Sequence, residues 1–157
     1  SVKSPDNAAH MDFVIAGILA KVAEMTVFLN PLESSYERFG NHKAPKYISW
    51  SSENRSQLVR VPAAVGEYRR AELRSPDPSS NTYLAFALMI YAGLYGIQNK
   101  LELQDPADIN FYKADADTLA KFKQLPENLK SACVLANSSD FIKKHIPDAI
   151  LEIYCNR

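Results

Sequence analysis

Arginine is concentrated in the centre of the chain, where its chemistry would suit an anion site. Five arginines lie within the twenty residues from 55 to 74, at positions Arg55, Arg60, Arg69, Arg70 and Arg74. The guanidinium group presents a fixed fork of donors that matches carboxylate and phosphate oxygens, often two at a time. The cluster therefore indicates phosphate or carboxylate binding. Composition alone also allows a solvated basic sheet face, which is what most charge runs are.

The distribution of charge singles out the same segment. The whole chain of 157 residues has 18 basic and 18 acidic side chains, so its net charge gives no reason to expect a nucleic acid or membrane partner. The stretch from Arg38 to Arg74 holds eight basic and three acidic side chains, which leaves it near +5 and the remainder near −5. A local anion site is consistent with this asymmetry.

Short runs with a period of two predict the strands that would carry these arginines. They cover residues 46–51, 57–61 and 69–74, with polar turns between them. Side chains alternate along a strand, so Arg70, Glu72 and Arg74 should share one face of the last run. Two arginines and a carboxylate would then point together.

Helical patterns lie on both sides of this strand region. Apolar residues from Met11 to Met25 recur at spacings of three and four, and Asn30-Pro31 should end that helix. Tyr83 to Ile97 reads as a helix buried on most sides, with its aromatic residues in the core. Shorter helices are predicted near Asp115, Pro126, Ser138 or Ser139, and after Pro147. We expect residues 1–10 to be a disordered or boundary segment and residues 11–157 to form one domain.

Other classes of site receive little support. The cysteines at 133 and 155 have no partners at metal spacing and form no disulfide framework, which indicates a reducing, cytoplasmic setting. His10, His42 and His145 share no metal-ligand spacing. The longest uncharged apolar run, residues 83–97, is too short to cross a bilayer.

Several motifs together resemble one family. They are Asn54-Arg55-Ser56, the run Val59-Arg60-Val61-Pro62, the run from Arg70 through Arg74 to Pro78, the run Asn81-Thr82-Tyr83-Leu84-Ala85, and Ser35-Tyr36-Glu37-Arg38-Phe39. With Phe13 to Leu19 and Asn30-Pro31, nearly the whole chain resembles the C-terminal part of the glutamine synthetase catalytic domain. The resemblance implies an α+β fold in which short antiparallel strands are flanked by helices, as part of a guanido-kinase-like catalytic domain.

The resemblance also implies an activity. The family uses ATP to join ammonia to the side-chain carboxylate of glutamate through a γ-glutamyl phosphate, with two or three divalent metals, magnesium or manganese. Its active sites form between neighbouring subunits of a ring. The implied partners are therefore glutamate, ammonia, ATP and either further copies of the chain or an upstream fragment.

Roles for individual residues follow from the matching motifs. Arg38 and Arg74 would hold the carboxylates of the amino-acid substrate, and Arg55, Arg60 and Arg70 would face the phosphates. Arg55 and Arg74 would be the catalytic pair. Glu72 would be a metal ligand on the nucleotide side, a role that suits a hard oxygen donor.

The chain departs from the family at two residues and in the extent of the domain that it covers. Lys43, before Ala44-Pro45, occupies the position of a glutamate that helps bind and deprotonate ammonium, and Glu67 stands where many members have a nucleotide-contacting lysine. A lysine would repel ammonium and is protonated at neutral pH. The upstream metal carboxylates and nucleotide loop of the family are also outside this sequence.

We therefore expect no independent glutamine synthesis, and two hypotheses stay open: part of a ligase with partial phosphate affinity, or a non-catalytic binding module derived from that scaffold. In either case the two long apolar helices exceed what three short strands can bury. Exposed apolar patches or self-association are expected.

Overall fold

Helices dominate the architecture. The computed structural model describes residues 6–41, 44–52, 54–63 and 70–156, with backbone alone for residues 6–9. The helices are α1 (Asp6–Leu29), α2 (Glu33–Glu37), α3 (Thr82–Gln98), α4 (Ala116–Leu119), α5 (Leu129–Ser138), α6 (Asp140–His145) and α7 (Asp148–Cys155). The strands are β1 (Trp50–Ser51), β2 (Val59–Arg60) and β3 (Glu72–Leu73). This combination confirms the α+β class.

The pairing of α1 with α3 organises the core. The two backbones approach so closely that a methyl group on Gly17 would collide with the carbonyl oxygen of Ala92, and one on Gly96 with that of Phe13. Glycine is needed at both positions because only its missing side chain permits that approach. The other side of α1 packs against α5, with smaller contacts to α6 and α7.

The buried side chains surround α1. Ile15, Val22, Met25 and Phe28 are almost fully buried on it, and Leu88 of α3 is fully buried opposite them. Apolar burial on this scale is the main favourable term in folding. The helices around α1 therefore form most of the hydrophobic core.

The sheet has the order β1-β2-β3, and one of its pairs corrects the sequence-based expectation. β2 and β3 are antiparallel, as predicted, with Arg60 opposite Glu72, but β1 and β2 are parallel, with Trp50 opposite Val59. Residues 54–57, between β1 and β2, form hydrogen bonds to residues 107–111, which lie far along the chain. The chain therefore re-enters the sheet in the same direction instead of forming a hairpin.

The strands are also shorter than the period-two runs suggested. Residues 46–48 pair with a different segment: Ile48 N donates to the carbonyl of Lys123 at 2.8 Å, and Leu125 N donates to that of Lys46 at 2.9 Å. Alternation along a run reports an extended backbone but does not say which segment it pairs with. Arg70 lies before β3, while Arg69 lies outside the described residues.

Most helix predictions are confirmed, with two corrections. α1 begins at Asp6, five residues before the predicted Met11, because residues 6–10 contain no proline or glycine that would break a helix. α3 is not buried on most sides: Tyr83 and Tyr91 are exposed, although Tyr95 is half-buried. Within the described parts of the chain, no helix is both long and apolar enough to span a bilayer.

Candidate functional site

Glu72 lies between two of the predicted arginines. Arg60 Nε donates to Glu72 Oε2 at 2.9 Å and Arg60 Nη2 lies 2.8 Å from the same oxygen. Arg74 Nε lies 3.7 Å from Oε1. Arg60 and Glu72 are cross-strand partners in β2 and β3, so the pairing follows from sheet register. One carboxylate thus neutralises part of the charge of two guanidinium groups.

Arg74 also connects the sheet to Arg55. Its Nη1 donates to the backbone carbonyl of Arg55, and its own backbone N–H donates to the carbonyl of Leu58 at 2.9 Å. The Arg74 side chain is 11% exposed, whereas Arg55 is open to solvent. Arg74 therefore fixes the backbone of the Arg55 turn and leaves the Arg55 guanidinium outside.

Hydrogen bonds to residues 107–111 fix the turn that carries Arg55. Asn54 Nδ2 donates to the Ile109 carbonyl at 2.7 Å, and buried Gln57 donates to the same carbonyl at 2.9 Å and to that of Ala107. Phe111 N donates to Ser56 Oγ at 3.0 Å. These bonds place Arg55 on a fixed backbone although its side chain is exposed.

Arg38 reaches the segment that follows Arg74. Its Nη2 donates to the carbonyl of Ser75 at 3.0 Å, and its Nε lies 3.3 Å from Asp77 Oδ2. Asp77 N in turn donates to the carbonyl of Leu29, the last residue of α1, at 2.8 Å. Arg38 and Arg74, which are far apart in sequence, are thereby fixed against neighbouring parts of one short segment.

Asp77 is held as an anion. Burial by itself would raise its pKa, but hydrogen bonds from the Ser79 side chain and backbone, with further contributions from Arg38 and Ser35, outweigh burial and lower the pKa below its ordinary value of 3.8. Ser79 Oγ and N lie 2.6 Å and 2.8 Å from Asp77 Oδ1. The carboxylate is therefore charged at neutral pH and forms an ion pair with Arg38.

The structure brings together most of the predicted site residues. Arg60, Glu72, Arg74 and the backbone of Arg55 are in direct contact, while Arg38 joins them through Ser75. Arg70 is exposed at the approach to β3, and within the part of the chain that the structure describes no contact places it in the cluster. Lys43, Glu67 and His42 lie outside the described residues.

The described residues do not form a metal site by themselves. In residues 6–41, 44–52, 54–63 and 70–156 there is no group of three or more histidine, cysteine or acidic side chains arranged to hold a metal ion. Glu72 is a single carboxylate already engaged by two arginines. Within the described residues, the sequence-predicted ligand is Glu72, and no chemical step through a metal follows from it.

Sequence reasoning missed the residues that support the arginines. Asp77, Gln57 and Asn54 position Arg38 and the Arg55 turn. The signals were present: Asp77 lies between two prolines, and Asn54 and Gln57 flank Arg55 in a motif. Their tertiary partners were not readable: those of Asn54 and Gln57 are backbone carbonyls fifty or more residues away, and that of Asp77 is the side chain of Arg38.

Known proteins are similar to this chain in sequence and in fold. Glutamine synthetase from Methanosarcina mazei is 41% identical over 145 residues, which is 90% of this chain and 32% of that protein. Glutamine synthetase from Staphylococcus aureus is 38% identical over 144 residues, with the same coverage. A solved structure of GmaS in complex with ADP matches 93% of this chain and 35% of that one, with 26% identity and a TM-score of 0.81. The chain thus spans about a third of the length of these relatives.

A family comparison covers almost every residue. The family described as the catalytic domain of glutamine synthetase matches residues 3–157, which include the strands, the arginine cluster and the C-terminal helices. The match agrees with the position of Arg38, Arg55, Arg60 and Arg74 in motifs that resemble that family. The chain belongs to the glutamine synthetase catalytic-domain family.

Proposed function

We propose that this chain forms the arginine-rich part of the catalytic domain of a glutamine synthetase type ligase, which joins ammonia to glutamate with ATP through a γ-glutamyl phosphate. The observation that supports this most is the convergence of Arg60 and Arg74 on Glu72, beside the Arg55 turn. These residues come from three separate segments. A simple surface charge run would not need the buried hydrogen bonds that hold this arrangement.

The arrangement fits the charge demands of such a reaction. Phosphoryl transfer spreads negative charge over the phosphoryl oxygens, so positioned cations contribute more than covalent groups. Arg55, Arg60 and Arg70 would face the phosphates. A guanidinium has five N–H donors, so Arg60 retains donors beyond those used on Glu72.

Arg38 and Arg74 would bind the carboxylates of the amino-acid substrate. Both are fixed by the protein before any ligand arrives, Arg38 by Ser75 and Asp77, and Arg74 by Arg55 and Glu72. Fixing a long side chain in advance lowers the entropy lost when substrate binds. Arg55 and Arg74 would then act as the catalytic pair, oriented toward the transferring group.

Magnesium or manganese would neutralise phosphate charge when bound, with Glu72 as the ligand that this chain contributes. The remaining ligands would have to come from other parts of a complete ligase. We therefore propose that the isolated chain has partial phosphate affinity and no synthetic activity.

The alternative is a non-catalytic binding module on the same scaffold. The observation in its favour is that Glu72 is satisfied by Arg60 and Arg74, as a structural ion pair would be. Lys43, at the position of the family's ammonium-binding glutamate, also favours the non-catalytic module. Such a module would keep the fold without nucleotide affinity.

Calorimetry of the binding of ATP and of a non-hydrolysable analogue, with magnesium, distinguishes the ligase proposal from the non-catalytic module. An Arg55→Ala, Arg60→Ala double variant should bind at least about tenfold more weakly, because each arginine offers charge-assisted hydrogen bonds. A Lys130→Ala, Lys143→Ala variant removes the same charge from exposed positions on α5 and α6 and should bind like the parent. Absence of binding by the folded parent chain, with native circular dichroism, would favour the non-catalytic module.

A further inference from the structure

The two cysteines of the chain meet between α5 and α7. Cys133 is buried on α5, and Cys155 is half-buried at the end of α7. Cys133 Sγ lies 3.9 Å from the carbonyl oxygen of Tyr154, the residue next to Cys155. The Cys155 thiol is itself in hydrogen-bonding contact with the Cys133 thiol, and both thiols are free. The fold therefore brings together two groups that are far apart in the sequence.

Neighbouring residues hold both thiols in place. Asn137, one turn after Cys133 on α5, donates through Nδ2 to the carbonyl of Cys133 at 3.0 Å and also contacts the Cys155 thiol. The buried ring of Tyr36, from α2, lies near both cysteines. α5 and α7 pack against each other and against α1. The meeting of the two thiols is thus a property of the packed helices and not of two flexible surface side chains.

The surroundings do not suit a metal ion. In the ranges that the structure describes, no third histidine, cysteine or acidic side chain joins the two thiols to make a metal site. Burial, with the hydrogen bond to Cys133, raises the pKa of Cys155 to about 12. Its thiol is therefore protonated at neutral pH, whereas a metal ligand has to be a thiolate. What distinguishes this pair is the contact between the two sulfur atoms.

We propose that Cys133 and Cys155 form a reversible oxidation site, at which a low-molecular-weight disulfide converts the two thiols into a disulfide bond that links α5 to α7. This inference is independent of the proposed function, because it needs neither nucleotide nor the arginine cluster. Two groups that are already in contact lose little further freedom when they are joined. The native fold should therefore favour the bond.

The reaction is thiol–disulfide exchange in two steps, with glutathione disulfide as the oxidant. The thiolate of one cysteine attacks a sulfur of glutathione disulfide, which forms a mixed disulfide and releases one glutathione thiolate. The thiolate of the second cysteine attacks the cysteine sulfur of the mixed disulfide, which forms the internal bond and releases the second glutathione thiolate. The two thiol protons pass through solvent to the released glutathione thiolates. Two electrons move from the cysteines to glutathione disulfide, so no further oxidant is needed.

The raised pKa of Cys155 affects the rate of this exchange more than its equilibrium. Cys155 is the more accessible of the two thiols, and its thiolate is scarce at neutral pH, so the first step should be slow. The reduced and the oxidised pair are both uncharged at that pH. Burial of the site therefore does not disfavour the disulfide.

The test measures the exchange equilibrium with glutathione for the full chain, folded in buffer and unfolded in concentrated urea. Alkylation of free thiols followed by intact-mass spectrometry separates the reduced, mixed-disulfide and internally bonded forms. Since the chain has two cysteines, an internal disulfide can only join Cys133 to Cys155. The folded chain should favour it at least about 100-fold more than the unfolded chain, because closing such a loop costs an unfolded chain that much entropy.

Ile153→Cys with Cys155→Ala is the matched control. Ile153 is 61% exposed and lies on the other side of α7, so the moved thiol faces away from Cys133 while the loop keeps nearly the same length. Its internal disulfide should be favoured no more in the folded chain than in urea. In the parent chain, dithiothreitol should restore both thiols, and hydrogen exchange of Asp148–Cys155 should be slower in the oxidised form than in the reduced form.

Three results would overturn the proposal. They are a folded chain that favours the internal disulfide no more than the unfolded chain does, a native product that is mainly the mixed disulfide or a cross-linked dimer, and an equal preference in the control variant. The equilibrium is approached from the reduced and from the oxidised chain, so slow exchange is not mistaken for absence of the bond. Because no nucleotide is present, these outcomes are separate from those of the phosphate-binding test.

Discussion

Arg60 and Glu72 face each other across β2 and β3, with Nε and Oε2 at 2.9 Å, and Arg74 approaches the other carboxylate oxygen. The pair is set by backbone register and not by chance contact of two flexible side chains. Glu72 is 43% exposed while Arg60 is 19% exposed, so an arriving anion would meet both charges. Glu72 should therefore moderate the attraction of the arginines for phosphate.

Glu72→Gln should strengthen binding of inorganic triphosphate in the absence of metal. The change removes a negative charge beside two guanidinium groups and keeps an oxygen that Arg60 can bind, so an increase of about threefold to tenfold is expected. Calorimetry in a chelating buffer measures it, with Glu152→Gln on α7 as the control. Weaker binding would show that Glu72 does not oppose the anion.

Asp77→Asn should remove part of the acid sensitivity of folding. Because the pKa of Asp77 is lowered in the folded protein, its contribution is present above its ordinary pKa of 3.8 and is lost as pH falls through the lower folded value. At neutral pH the variant should lose about 1–2 kcal/mol, since the ion pair with Arg38 is partly buried.

Urea unfolding from about pH 6 down to about pH 2.5 checks this, because that range includes the ordinary pKa of an aspartate. The stability of the parent should fall more steeply than that of Asp77→Asn. Asp105→Asn, at an exposed position, should follow the parent. Parallel curves for the parent and Asp77→Asn would rule out a contribution from this carboxylate.

Gly96→Ala should destabilise the chain by more than about 2 kcal/mol, because the added methyl group meets the backbone carbonyl of Phe13, which cannot rotate away. Gly93→Ala is the matched control. Its methyl group would lie 3.1 Å from Val14 Cγ1, a side-chain atom that can shift, and helix propensity gains about 1 kcal/mol. Chemical denaturation of both variants should show a clear difference, and equal losses would contradict the proposed close approach of α1 and α3.

Gln57→Met should loosen the Arg55 turn. Methionine has a similar length but no donor, so the carbonyls of Ala107 and Ile109 would lose buried hydrogen bonds at a cost of about 2 kcal/mol. Hydrogen exchange of residues 107–111 should rise together with the loss of stability. Gln124→Met, at an exposed position, should alter neither quantity.

Much of the fold was predictable because its signals are local. The helix beginnings follow from single side chains: those of Asn81, Asp115, Asn128 and Ser139 each accept a backbone N–H in the first turn of α3, α4, α5 and α6. The break at Asn30-Pro31 and the helix over Thr82–Gln98 were visible for similar reasons. Glu72 and Arg74 were also predicted to share a strand face, but with Arg70, whereas the structure places Arg60 beside Glu72.

The supporting residues were less predictable. Gln57 is a buried amide whose partners are fifty or more positions away, and Asp77 depends on where Arg38 lies after folding. Alternating polarity could not show that β1 runs parallel to β2, since direction depends on how the intervening turn is anchored. Roles of the arginines toward substrate and phosphate stay predictions until binding is measured.

By itself the sequence determined the positions of the helices, the family and the clustering of arginines, because these depend on residue types and spacings along one segment. Only the tertiary structure decided that Glu72 pairs with Arg60 and Arg74, that β1 and β2 are parallel, and that the side of α3 with Phe86 and Ile90 is exposed. Each of these depends on contacts between segments far apart in the chain. A helical stripe of apolar residues looks the same in sequence whether it is covered or not, and packing against α1 determined which side of α3 remained open.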